Sequence, residues 1–171
     1  MPVNHIVFDV DGTLTDGGII LSSDGTEIKR FDVKDGLVIG ALPTLGFTTM
    51  FLTGRNSELT RLRAAELKIN IVLQNVSNKY AVLKKYIDDN NLSWNQFAYI
   101  GDDINDYEAM KPCAFKACPS DAVEEIRIIC DHVSAYRGGH GAARDICKYL
   151  LKQQRQYNDF VSLYGLGEEA H

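Results

Sequence analysis

Two carboxylates, Asp9 and Asp11, stand directly after the apolar run Ile6-Val7-Phe8, and Gly12-Thr13 then turn the chain. A continuous apolar run near the N-terminus reads as a central strand of a parallel sheet, covered on both faces. In open α/β sheets ligands bind beyond the carboxyl ends of the strands. Like charges crowded there raise each other's pKa unless a cation or a donor compensates, so the spacing points to a metal-assisted acid pair.

A second acidic cluster, Gly101-Asp102-Asp103-Ile104-Asn105-Asp106, follows another apolar stretch. Asp103 alone fits equally well as a helix N-cap, but the cluster as a whole exceeds what capping requires. Carboxylate, carbonyl and water ligands with no His or Cys suit magnesium far better than zinc. Two further strand ends carry what an anionic substrate needs. Thr53-Gly54-Arg55 follows Met50-Phe51-Leu52 and offers a hydroxyl and backbone N–H groups near a helix start, a favourable place for phosphate. Lys79 follows Ser77-Asn78 at the start of the next helix. Taken singly, Lys79 is an ordinary surface lysine and Thr53 an ordinary strand-end threonine. At one edge of one sheet, each supplies a part of phosphoryl transfer: nucleophile and acid, phosphate donor, cation, metal ligand.

The elements that must position these groups alternate between short apolar strands and amphipathic helices. Asp24-Gly25 lies between two strand-like runs and predicts a hairpin over about residues 18–31. A helix is expected from residue 34 to about 45, kinked or ended early by Pro43, then a strand over 47–52. Asn56 is read as the cap of a helix with Leu59, Leu62, Ala65 and Leu67 inward, followed by a strand over 69–73 and a helix capped by Ser77. Strands over 97–100 and 114–118, helices over 103–111, 120–130 and from 142 to about 154, and a flexible polar tail from about 155 complete the reading. The pattern predicts an α/β, three-layer Rossmann-like fold: a mainly parallel sheet, a small hairpin after the first strand, and a single domain over residues 1–171.

Composition narrows the partners. With 45% apolar and 24% charged residues the chain reads as an ordinary globular domain, and a formal charge of -5 argues against nucleic acid. Cys113, Cys118, Cys130 and Cys147 form no C-x-x-C pair and no zinc spacing, so reduced thiols in the cytoplasm are expected. The N-terminal residues do not read as a leader and no stretch is apolar enough to span a membrane, so no membrane partner is expected.

The ordered pieces D-V-D-G-T, T-G-R, an isolated lysine and G-D-D-x-N-D resemble the haloacid dehalogenase superfamily of phosphatases. From His5 to about Gln154 the chain is similar to its small capless sugar-acid phosphatases. Thr15-Asp16-Gly17, the run Phe31-Asp32-Val33-Lys34-Asp35-Gly36, Ser77-Asn78-Lys79 and Gly138-Gly139-His140-Gly141-Ala142-Ala143-Arg144 carry that likeness. Between Thr13 and Thr53 there is room for only a hairpin and one helix, so no cap domain is expected.

The resemblance implies that Asp9 is the nucleophile and Asp11 the general acid and base, with Mg2+ held by Asp9, the Asp11 carbonyl and Asp102. It implies that Thr53 and Lys79 bind the phosphoryl group, and that Asp103 and Asp106 orient Lys79 and water on the ion. Asp32, Lys34, Asp35, Gly36, Arg55 and Arg63 would line the site of a phosphorylated sugar acid, with Asp11, Thr53 and Lys79 reaching it from below. An arginine there suits a substrate carboxylate, and Arg55 favours an eight-carbon over a nine-carbon keto acid. The arginine matching Arg63 reaches a neighbouring subunit in the family, which implies a homotetramer. His140 reads equally as a substrate contact or a plain loop residue. The competing class is a non-catalytic assembly module on the same fold, which the retention of Asp9, Asp11, Lys79 and Asp102 disfavours.

Overall fold

The computed structural model describes residues 3–167. In chain order the elements begin with β1 (His5–Phe8), a hairpin of β2 (Ile20–Leu21) and β3 (Glu27–Ile28), α1 (Val33–Ala41), β4 (Thr48–Leu52), α2 (Glu58–Glu66), β5 (Ile71–Leu73) and α3 (Lys79–Asp89). There follow β6 (Phe97–Ile100), α4 (Tyr107–Met110), β7 (Phe115–Cys118), α5 (Glu124–Ile129), β8 (His132–Val133), α6 (Ala142–Gln153) and α7 (Tyr157–Ser162). Six strands form one sheet in the order β5-β4-β1-β6-β7-β8, with every described pairing parallel. The hairpin is a separate antiparallel pair.

β1 sits inside the sheet because it can be buried on both sides. Period-two alternation sends Ile6 and Phe8 into one apolar layer with α1, α2, α6 and α7, and Val7 into the other with α3, α4 and α5. Val7 is in register with Met50 and Tyr99, which share its layer. Continuing the alternation places the side chain of Asp9 on the Val7 side, over the start of α3.

Several boundaries differ from the expectations for physical reasons. α1 ends at Ala41 and a 3-10 turn, Leu42–Leu45, takes over at Pro43. Ser57 and Asn78, not Asn56 and Ser77, are the N-cap residues of α2 and α3. Asn78 caps with its side chain, whereas the Ser57 hydroxyl donates to Glu27 instead. The buried positions of α2 are Thr60 and Ala64, with Leu67 buried just past its end, while Leu62 and Ala65, both expected inward, are exposed, because α2 meets the hairpin as well as the core. The segment expected as a helix over 120–130 shortens to α5, since Val123 uses its N–H to bond the Asp102 carbonyl. β8 is two residues long, too short to leave a sequence pattern.

Residues 157–162, expected in a flexible tail, form α7. Tyr157, Phe160 and Val161 are spaced as one helical face, and Phe160, 1% exposed, enters the first apolar layer beneath the Arg144 guanidinium. The last four residues of that expected tail, 168–171, lie outside the described residues.

Candidate active site

All five groups expected to do the chemistry come from the carboxyl edge of the sheet. Asp9 and Asp11 follow β1, Thr53 follows β4, Lys79 opens α3, and Asp102 follows β6. Lys79 is 2% exposed, and its ammonium lies 2.6 Å from Asp9 Oδ1 and 2.6 Å from Asp106 Oδ1. Asp106 is wholly buried and saturated: Oδ1 also accepts from Tyr99 O–H, and Oδ2 accepts from the N–H groups of Asp102 and Asp103. Its work is to hold Lys79 in place. Asp103 takes the capping role that was one of its two readings. It is exposed, makes no contact with Lys79, and caps the 3-10 turn Ile104–Asp106.

Asp9, Asp102 and Asp106 each bring a carboxylate oxygen within 4.8 Å of the others. Since Asp106 is filled by donors, Asp9 and Asp102 are the side chains able to hold a cation, and the Asp11 carbonyl takes part in none of the described backbone hydrogen bonds. Burial, then the charge of Asp106, holds the Asp9 carboxyl well above the usual carboxylate range, with Lys79 opposing. Burial likewise pushes Asp102 up to about 6. This crowding, only partly offset by Lys79, together with an all-oxygen donor set, is what a divalent magnesium ion fits.

The turn is shaped by the same carboxylate. Gly12 has φ 95°, and a Cβ there would collide with the Asp102 side chain. A side chain at Gly138 would in turn run into the Gly12 carbonyl, so the glycine loop 138–141 packs directly on the turn after Asp11. Thr13 was not expected among the site residues. Its hydroxyl, 0% exposed, donates to Asp102 Oδ1 at 2.9 Å and fixes that carboxylate's orientation. Replacing it with valine, Thr13→Val, is expected to weaken Mg2+ binding by about 10-fold, as removal of a group orienting a metal ligand commonly does. Calorimetric titration with Mg2+ checks this.

Thr53 is buried, accepts from the Arg55 N–H, and its hydroxyl lies 3.5 Å from Asp11 Oδ2. Thr53 therefore stands beside Asp11 at the sheet's carboxyl edge. The residues expected around the sugar acid divide. Arg55 stands at the rim, paired with Glu27 of β3 at 2.7 Å. Lys34 is exposed on the first turn of α1. Asp32 and Asp35, expected against substrate, are helix caps. Asp32 Oδ1 accepts from the N–H groups of Lys34 and Asp35, while Asp35, 2% exposed, accepts from Gly141 and Arg144 at the start of α6. Burial pushes Asp35 up to about 6. Arg63 folds back on its own chain, over the Phe31 ring and onto the Asp32 carbonyl, and Gly36 leaves the space its guanidinium needs. His140 joins loop to hairpin, bonding Arg30 through Nε2 and the Gly138 carbonyl through Nδ1.

This architecture and acid cluster are those of a phosphohydrolase fold, and a family model described as haloacid dehalogenase-like hydrolase matches residues 56–146. The chain belongs to the haloacid dehalogenase-like hydrolases. It is 32% identical over 157 residues to the 3-deoxy-D-manno-octulosonate 8-phosphate phosphatase KdsC of Escherichia coli (strain K12), a match covering 92% of this chain and 84% of that one. The crystal structure of the Moraxella catarrhalis 3-deoxy-D-manno-octulosonate 8-phosphate phosphatase, in complex with magnesium ion, phosphate ion and KDO, superposes with a TM-score of 0.91 at 34% identity, covering 95% of this chain and 93% of that one. The cobalt-bound Haemophilus influenzae phosphatase gives a TM-score of 0.87 at 32% identity, with 95% of each chain covered.

Proposed function

We propose that this chain is a magnesium-dependent phosphatase that hydrolyses a 2-keto-3-deoxy sugar-acid phosphate, 3-deoxy-D-manno-octulosonate 8-phosphate, through an aspartyl-phosphate. One arrangement carries the reading: the Asp9 carboxylate beside Lys79 and Asp102, with Asp11 two residues further along the same strand end. Asp9 attacks phosphorus, forming the acyl-phosphate bond as the ester P–O bond breaks, and Asp11 delivers a proton to the departing sugar oxygen. Water then attacks the phosphoryl group, Asp11 takes its proton, and Asp9 is released. Thr53 and Lys79 bind the phosphoryl oxygens, and Asp106 keeps Lys79 aimed at them. Asp9, Asp102 and the Asp11 carbonyl would hold Mg2+, which when bound offsets the charge between an anionic nucleophile and an anionic substrate.

Arg55, its side chain 39% exposed at the rim, is the group assigned to the substrate carboxylate. A homotetramer belongs to the same reading, supported by the hairpin residues Ile19, Ile20, Leu21 and Ile28, each more than half exposed. So does a cytoplasmic location, and no helix among the described residues is long and apolar enough to cross a membrane.

Phosphate release with Mg2+ across eight-carbon and nine-carbon keto-acid phosphates and hexose phosphates tests the proposal. The eight-carbon acid is expected to give the highest kcat/KM. A preferred hexose phosphate would overturn the substrate assignment, and a failure to hydrolyse any of them would overturn the enzyme reading.

A further inference from the structure

The hairpin reaches the centre of the site through one residue that the reaction scheme above leaves unused. Lys29, directly after β3, has a side chain only 4% exposed, and its ammonium lies 2.5 Å from Asp11 Oδ1 and 3.5 Å from the Thr60 hydroxyl of α2. A buried ammonium needs such partners, because desolvating it without them costs several kcal/mol. Its neighbour Glu27, on the same side of the strand by period two, is bound to Arg55 and Ser57 beyond the end of β4. The return strand is thus pinned on both sides of Ile28, by Glu27 to the β4–α2 connection and by Lys29 to Asp11 and to Thr60 of α2.

The two oxygens of Asp11 are thereby distinguished. Oδ1 is taken by Lys29, while Oδ2 points toward the Thr53 hydroxyl, on the side where the phosphoryl group would lie. We infer that Lys29 is a positioning residue for the proton transfer: it fixes the Asp11 side chain so that Oδ2 faces the departing oxygen, and so makes the hairpin's seating part of the general acid. This rests on the proposed phosphatase reading. The same residues argue against a mere packing role. Lys29 is a polar residue of a largely solvent-exposed hairpin, and its polar partners, Asp11 after β1 and Thr60 of α2, come from two parts of the chain that the hairpin bridges in space.

A step that needs no proton separates positioning from structure. The ester oxygen of a sugar phosphate must be protonated as it leaves, whereas p-nitrophenolate leaves as the anion. kcat/KM reports only the steps up to aspartyl-phosphate formation, so slow dephosphorylation does not blur the comparison. Lys29→Met is expected to lower kcat/KM for 3-deoxy-D-manno-octulosonate 8-phosphate by about 10- to 100-fold, the scale of a misplaced catalytic group. For p-nitrophenyl phosphate it is expected to change by less than about 3-fold, which also shows that the variant is folded. In an Asp11→Asn background the same substitution is expected to add nothing, because two residues acting through one proton transfer are not additive. Equal losses on both esters, a rise in KM alone, or additive losses with Asp11→Asn would each overturn the inference while leaving the phosphatase reading intact. A wild-type protein that hydrolyses neither ester would overturn both. If Lys29→Met does not fold, Thr60→Val, which removes the second partner of the ammonium, must show the same selective loss on a smaller scale, and its absence would count against the inference.

Discussion

Asp9→Asn is expected to lower turnover by at least about 10⁴-fold while the protein stays folded. The amide keeps the shape of the carboxyl and an oxygen that can accept from Lys79, whose other partner, Asp106, is untouched. What it loses is the lone-pair reactivity and charge of a carboxylate. Stability moves the other way. The folded-state pKa of Asp9 is raised by burial and by the charge of Asp106, so any stabilisation from this group is present at low pH and lost as pH rises through the raised value. At neutral pH without metal, its ionised form is a strain on the fold that asparagine removes. The metal-free variant should therefore melt no lower than the wild type, with a smaller rise on adding Mg2+, and calorimetry with and without Mg2+ checks both.

Lys79→Met carries the second large effect, because the side chain that the proposed mechanism assigns to the phosphoryl group also holds the buried charge network together. Loss of a cation aimed at the transferring group is expected to cost about 10²–10³-fold in kcat. Removing it also leaves the Asp9 and Asp106 carboxylates facing each other in the interior, at a cost of about 3–5 kcal/mol, the range for breaking a buried ion pair from one side. The contrast lies five and six residues along the same helix. Lys84 and Lys85 pair with Asp88 and Asp89 in full view of solvent, where such bridges contribute little to stability. Urea unfolding of Lys79→Met and Lys84→Met separates the two cases. Mg2+ should recover part of the Lys79→Met loss, since it supplies positive charge to the same carboxylates.

The chemistry was legible in the sequence because parallel strands all end on one edge. Once residues 6–8, 50–52 and 97–100 are read as strands, Asp9, Thr53 and Asp102 must share that edge, and Lys79 follows from its place at a helix start. The division of labour between Asp103 and Asp106 was not legible. Both sit in a capping segment, and only the phase of the 3-10 turn brings Asp106 back beneath the strand end. Asp35 was misread because its partners at Gly141 and Arg144 are more than a hundred residues away, a contact that no local pattern encodes. Arg55 and Arg63 have long side chains whose direction depends on neighbours from other elements. Lys29 did leave a signal, the i, i+2 placement of Glu27 and Lys29 on a strand, although that pattern is shared with any half-exposed hairpin. The helical face of Tyr157, Phe160 and Val161 was hidden inside a polar composition.

The covalent step at Asp9 is tested most directly by the stereochemical course at phosphorus, followed with a chiral, isotopically labelled thiophosphate ester of the sugar acid. Two successive in-line displacements, first by Asp9 and then by water, predict net retention of configuration. Net inversion would mean that water attacks the substrate directly, and would contradict the account.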